Sequence, residues 1–353
     1  MKKQYDVVII GAGVVGSAIA RELSRYKLSI AVLEKNLDVC NETSGRNSAV
    51  VHGGFANPIG SLKAKCCVEG NKIMGQLAEE LNFPFKRCGK VLVGNTPEDM
   101  EQLERTMKQG AVNGCTGLEM IDEKKLHELV PAVVGKFAMW SKNSGIMDPF
   151  LYTVALAENA HANGVDFFFD HKVEAITREN ELYYLHTAHG DFCTRWVVNA
   201  AGLGAKQISD LLGLTGSVPL ARYVIGLMQE REKFEENPDF DPHHKGIVKF
   251  AECTPEQQAE LIAQDPDYGE MICSCEEVTK AEILQAIHNP LGVSTMTGIK
   301  YRTRAMMGGC QGGFCQMKIE HFIEQELGTE PENVRYSRQG SWVLTGNMRK
   351  EEN

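Results

Sequence analysis

Residues 5–35, YDVVIIGAGVVGSAIARELSRYKLSIAVLEK, leave little freedom in what the N-terminal part of this chain can fold into. Val7 to Ile10 are β-branched and apolar throughout, as a parallel strand covered on both faces should be. Gly11, Gly13 and Gly16 follow at G-x-G-x-x-G spacing. The spacing predicts a tight turn at Gly11, close approach of a pyrophosphate to backbone at Gly13, and close strand–helix packing where a helix begins at Gly16. A second strand, Ser29 to Leu33, ends in Glu34, a carboxylate placed to accept ribose hydroxyls, with Lys35 beside it. Together these parts define a dinucleotide-binding βαβ unit, and they do not by themselves separate NAD from FAD.

The stretch NETSGRNSAVVHGGF, residues 41–55, is rich in small and polar residues, which a plain NAD-binding domain has no use for directly after its second strand. Here the sequence resembles the FAD-dependent oxidoreductases of the D-amino-acid oxidase and glycerol-3-phosphate dehydrogenase superfamily. The resemblance implies that Ser44, Arg46, Asn47 and Ser48 contact FAD and that His52 lies near the isoalloxazine. A surface charge at Arg46 and a packed histidine at His52 are the plain alternatives. It also implies that Val173 clasps the adenine through backbone. In RWVVNAAGLGA a strand, Trp196 to Val198, runs into Ala201 and Gly202, which let backbone pass close to the cofactor.

Two cysteine pairs lie far downstream. DYGEMICSCEEVTKAEILQAI carries Cys273 and Cys275, and GGCQGGFC carries Cys310 and Cys315, with thirty-four residues between the pairs. Glycines beside a thiolate leave room for amide N–H groups to point at sulfur. Thr279 with Glu282 forms a capping box for a helix between the pairs. A second helix, Gln316 to Leu327, places Ile319, Phe322, Ile323 and Leu327 on one face. The module resembles the bacterioferritin-associated-ferredoxin-like domain, which implies a [2Fe–2S] cluster on Cys273, Cys275, Cys310 and Cys315. Structural zinc usually spaces its pairs as C-x2-4-C, so the C-x-C pair favours the cluster over zinc or empty thiols. Cys40, Cys66, Cys67, Cys88, Cys115, Cys193 and Cys253 read as structural thiols.

The expected fold is α/β: a Rossmann-like FAD-binding domain with a partial α+β substrate domain, plus a small helical [2Fe–2S]-binding domain. The expected bounds are 1–235 for the oxidoreductase domain with 60–148 as the partial substrate domain, 236–270 as linker, 271–328 for the cluster domain and 329–353 as a tail. By the resemblance the chain is internally shortened near residues 214–217, where on the order of 150 residues of a full substrate domain are missing before a closing helix, Val218 to Gln229. The catalytic residues therefore have no assignment.

The implied activity is oxidation of a small anionic secondary alcohol, glycerol-3-phosphate-like, by hydride transfer to flavin, with electrons leaving through the cluster. The alternatives are a shortened electron-transfer or assembly subunit, and a 2-hydroxy acid or amino acid oxidase. The expected partners are that small anionic substrate and an electron-acceptor protein or flavoprotein subunit. A net charge of -10, from 37 basic and 47 acidic residues, gives no reason to expect nucleic acid. No run of about 18 apolar residues predicts a transmembrane segment, and eleven cysteines at irregular spacing predict reduced thiols in the cytoplasm.

Overall fold

The computed structural model describes residues 3–213 and 221–344. It divides into two compact units, residues 1–46 with 153–353, and residues 47–152.

The first unit is built on a six-stranded sheet. Gly190–Asn199, Lys3–Ile10, Ile30–Leu33 and Asp166–Phe168 run parallel in that spatial order, and Ala175–Glu179 and Leu182–Thr187 extend the sheet as antiparallel strands. Val7, Val8 and Ile9 are wholly buried, which is why this strand reads as an unbroken apolar run. It begins earlier than the apolar run, at Lys3, because its first residues lie on a partly exposed margin and need no apolar side chain. On one face Val8, Ile10, Ala31 and Leu33 pack with Ile176, Leu185, Phe192 and Ile208. Burying side chains of this size contributes about 1.5–3 kcal/mol each.

The helix after the first strand spans Val14–Leu23, so it starts before Gly16 and places that glycine within its first turn. Residues 214–217, the expected point of shortening, and the start of the expected closing helix lie outside the described residues; the helix described there is Ala221–Gln229.

The cluster module belongs to this same unit. A short hairpin, Met271–Cys273 with Val278–Thr279, leads into helices Lys280–Ile287, Met296–Thr303 and Gln316–Leu327 around Ile272, Ile283, Met296, Ile299, Ile319 and Ile323. Glu282 accepts both the amide and the hydroxyl of Thr279 at 2.8 Å, securing the start of the first helix. Leu327 departs from the expected apolar face: it is 42% exposed, because the helix ends at the left-handed Gly328 beyond the core.

The 236–270 segment carries a helix, Pro255–Gln264, whose Thr254 and Gln257 form a capping box. Within the expected tail, residues 329–344 pack on the module: Val334 is buried in its core, and the Arg335 and Tyr336 carbonyls accept the Met296 and Thr297 amides.

The second unit is α+β. One antiparallel sheet pairs Phe137–Ser141 with Lys90–Gly94 and Leu118–Asp122; the other pairs Gly145–Met147 with Val50–Val51 and Phe85–Lys86. Helices Leu62–Leu81, Pro97–Val112 and Glu123–Leu129 complete it. Its bounds, 47–152, are wider than the expected 60–148, because Val50–Val51 is itself a strand of this unit.

Candidate cofactor sites

The C-terminal ends of the central parallel strands meet at the glycine turn. The Gly11 amide donates to Leu33 O at 2.8 Å and the Ala200 amide to Ile10 O at 2.9 Å. Gly11 has φ +104°, and a Cβ there would sit 2.6 Å from Ala200 O. A Cβ on Gly16 would lie 1.9 Å from Gly11 O, so this glycine sets how closely helix and strand approach. At Gly13 a Cβ would come within 3.0 Å of Ser44 Oγ. Ser44 Oγ in turn accepts the Val14 amide at 2.9 Å, so an oxygen stands before the first amide of the helix, where an anion is favoured.

Glu34 is buried at the end of its strand. One carboxylate oxygen accepts the Ala12 amide at 2.8 Å; the other accepts the amide and the side-chain nitrogen of Asn36, both at 2.9 Å. Burial pushes its carboxyl above the usual range against the opposing pull of these donors and of Lys35. The oxygen that accepts only the Ala12 amide keeps a lone pair for a ribose hydroxyl, while the one that accepts both Asn36 groups is already filled. Lys35 is on the surface, paired with Glu42 at 3.1 Å.

The structure brings Gly11, Gly13, Gly16, Glu34 and Ser44 together around one turn. Arg46 is exposed and donates to Asn41 O and Glu42 O, and it also hydrogen-bonds the Tyr301 hydroxyl. Val173 is buried against the sheet between strands. Ala201 is half-buried and donates to Asn199 Oδ1 at 3.3 Å, and Gly202 turns the chain with φ +54°. Asn47, Ser48 and His52 belong to the second unit. There Asn47 Oδ1 accepts the Ala49 amide at 2.8 Å, and Ser48 and His52 are exposed. Partial burial, with Lys90 and Lys63 nearby, lowers the His52 pKa below the usual imidazole value. The residues of the glycine turn suit FAD: a helix N-terminus with the Ser44 hydroxyl beside it for pyrophosphate and an anchored carboxylate for ribose.

The cluster cysteines form two sulfur pairs, each taking one member from each motif. Cys275 Sγ donates to Cys310 Sγ at 3.4 Å, and Cys273 is hydrogen-bonded to Cys315. The bond from Cys275, together with the amides of Gly312, Phe314 and Gly313, draws the Cys310 thiol below its usual pKa. Cys315 is pushed up to about 11 by burial and by Cys273, with the Met306 amide opposing. The loop turns its amides toward sulfur through left-handed residues, Met306 at φ +68°, Gln311 at +50° and Gly312 at +89°. Gly308 is required, since a Cβ there would lie 2.2 Å from Cys275 Cβ.

Two sulfur pairs match the demand of two irons for two thiolates each. A single tetrahedral ion needs all four at one point. The other thiols are scattered: Cys40 and Cys193 are buried, whereas Cys88 is exposed and so serves no packing role.

Sequence reasoning missed a buried ionic group. Arg302 Nη1 donates to Asp38 Oδ2 at 2.8 Å and Nε to Glu158 Oε1 at 2.9 Å, while His244 bonds the other Glu158 oxygen at 2.9 Å. Arg302 and Asp38 are 264 residues apart, so no local pattern signals the pair.

Residues 6–244 match the model of the FAD dependent oxidoreductase family, and residues 271–325 match the BFD-like [2Fe-2S] binding domain. The chain belongs to the FAD dependent oxidoreductase family and carries a [2Fe–2S]-binding domain after it. Among its relatives, a glycerol 3-phosphate dehydrogenase of Caloramator mitchellensis is 28% identical over 477 positions, covering 98% of this chain and 99% of that protein. The alignment is longer than the 353 residues here, so the relative has sequence with no counterpart in this chain. The mitochondrial L-2-hydroxyglutarate dehydrogenase of Caenorhabditis elegans is 34% identical over 60% of this chain, which spans about half (50%) of that relative's length.

Of solved structures, the dithionite-reduced, FAD-bound L-alpha-glycerophosphate oxidase from Mycoplasma pneumoniae superposes with a TM-score of 0.57 at 29% identity, covering 59% of this chain and 57% of that one. The chain binds FAD and a [2Fe–2S] cluster, as these families do. No helix among the described residues is long and apolar enough to cross a membrane.

Proposed function

We propose that the protein is an FAD-dependent dehydrogenase for a small anionic secondary alcohol of the glycerol-3-phosphate type, passing electrons through its cluster to an acceptor protein or flavoprotein subunit in the cytoplasm. The observation that carries this reading is the match to a glycerol 3-phosphate dehydrogenase across 98% of the chain, oxidoreductase and cluster domains together. Bound FAD supplies a two-electron acceptor and the cluster a one-electron relay. In this reading the chain's own work is to hold and orient. Glu34 anchors ribose, the Val14 helix terminus with Ser44 meets pyrophosphate, and the amides facing Cys310 tune the cluster.

A second reading is favoured by the length of that alignment. With the relative's additional sequence absent, in our reading near residues 214–217, the flavin half is catalytically impaired and the chain works as an electron-transfer or assembly subunit. Anaerobic mixing of the FAD-loaded protein with glycerol-3-phosphate, L-2-hydroxyglutarate or an amino acid separates these readings. Selective flavin bleaching by glycerol-3-phosphate is expected. Bleaching by another substrate replaces the substrate class, and bleaching by none favours the second reading.

A further inference from the structure

The helix Met296–Thr303 touches both cofactor sites. On one side it meets residues 38–46, the segment that leads from the ribose carboxylate to Ser44. Arg302 and Asp38 are buried, and the guanidinium also holds Gly298 O at 3.1 Å. Gly298 is what admits the carboxylate, for a Cβ there would lie 2.6 Å from Asp38 Oδ2. One residue earlier, Tyr301 hydrogen-bonds Arg46. The segment is held at its other edge by the glycine turn, where the Cys40 amide donates to Ala12 O at 3.3 Å.

On the other side the helix runs straight into the cluster loop. It ends at the left-handed Arg304, and the Ala305 amide returns to Thr303 Oγ1 at 3.2 Å. The amide of Met306 then faces Cys315 sulfur, and Gly308 lies against Cys275. Only a few residues separate the guanidinium on the flavin segment from an amide on a cluster ligand.

We propose that this helix couples the two cofactor sites, with Arg302 as the positioning residue through which cluster loading and FAD binding favour each other. A buried ion pair is weak evidence for stability, since apolar residues of equal volume often pack as well; its best-attested use is to fix register. Here the register fixed is that of residues 38–46 against the helix that ends in the cluster loop. A cluster that orders residues 304–315 therefore orders the flavin segment, and linkage requires the converse by the same factor. The inference rests on the two cofactor sites and not on the substrate.

The test titrates FAD, by flavin fluorescence quenching without air, into the full chain with its cluster and after chelator has removed it. FAD is expected to bind about tenfold more weakly to the cluster-free protein, within the range of such couplings. Saturating FAD should raise by about the same factor the chelator concentration that removes half of the cluster iron at equilibrium. Arg302→Met with its cluster loaded should bind FAD as weakly as the cluster-free wild type and respond little to cluster removal, while Arg302→Lys should recover part of the difference. Equal FAD affinity of the wild type with and without cluster overturns the proposal. So does full coupling in Arg302→Met. Should that variant fail to fold, the wild-type comparison decides the coupling and Tyr301→Phe, which removes the hydroxyl bonded to Arg46, its route: weakened coupling supports this helix, and unchanged coupling overturns it.

Discussion

Ser44 Oγ accepts the Val14 amide at 2.9 Å, so a side chain thirty residues downstream caps the helix that opens the nucleotide-binding unit. Gly13 lies beneath that contact, with room for no branched side chain. With the Ser44 hydroxyl donating to pyrophosphate, as the family resemblance implies, Ser44→Ala should weaken FAD binding by about fivefold, the worth of one ordinary hydrogen bond of about 1 kcal/mol. Gly13→Val should abolish it, since besides displacing Ser44 its methyls would fill the space through which pyrophosphate approaches the backbone. Equilibrium titration of the cluster-loaded protein checks both, and equal effects would mean that Gly13 has no steric role.

Glu34→Gln keeps the shape of the carboxylate but turns one acceptor into a donor facing an amide already donated by Ala12 or Asn36. One bond must be lost. Bonds to a charged acceptor are worth about 1.5–3 kcal/mol, so FAD affinity should fall by roughly tenfold or more, with adenosine diphosphate losing as much as FAD. A loss for FAD alone would place the effect away from ribose.

The nucleotide turn was legible because each of its glycines answers a local steric demand, and the cluster because its ligands come as two short motifs. Neither needs a distant partner to be recognised. The Arg302 group was illegible for the opposite reason: no local pattern marks Arg302, and only tertiary folding brings Asp38, Glu158 and His244 to it. The packed residues after 329 escaped notice similarly, since Val334 gains its meaning from the core it enters and not from any period of its own. His52 stays an expectation, its imidazole being exposed within its own unit.

For the cluster, anaerobically purified protein should contain iron and acid-labile sulfide in equal amounts, about two of each per chain. Cys310→Ser should lose the visible absorbance and loosen the module, which is small enough to depend on its metal. Gly308→Val should do the same with all four ligands present, because a Cβ meets Cys275. Zinc at one per chain without colour would overturn the cluster.

Asp6 ties the neighbouring strands together at the far end of the sheet. Its carboxylate accepts the Ser29 amide at 2.9 Å, the Ser29 hydroxyl at 2.7 Å and Arg195 at 2.9 Å. Partial burial pushes its carboxyl up, but these donors hold it below the usual carboxylate range on balance. A carboxyl depressed in the folded state contributes stability above its unfolded pKa of about 4, and loses it as pH falls through the folded value. Asp6→Asn should therefore cost about 1 kcal/mol near neutral pH, a partly exposed pair being discounted for screening. The difference from wild type should shrink on acidification. A constant difference in denaturant unfolding from pH 7 to 3 would show that ionisation of Asp6 has no part.

The sequence present in the dehydrogenase relative and absent here sets the last expectation. A flavin gripped by its adenosine and pyrophosphate, but with less protein to enclose its ring, should be held loosely and meet water, because pockets bind by burying most of a ligand. Substrate positioning should suffer more, since rate depends steeply on the geometry in which the reacting atoms are held. Steady-state oxidation of glycerol-3-phosphate with an artificial acceptor should be slow even in excess FAD, while the cluster assembles fully. Splicing in the relative's additional segment at residues 214–217 should raise the rate at least tenfold and tighten FAD. Brisk turnover with tight, stoichiometric flavin in the unspliced chain would show that the chain needs no such segment.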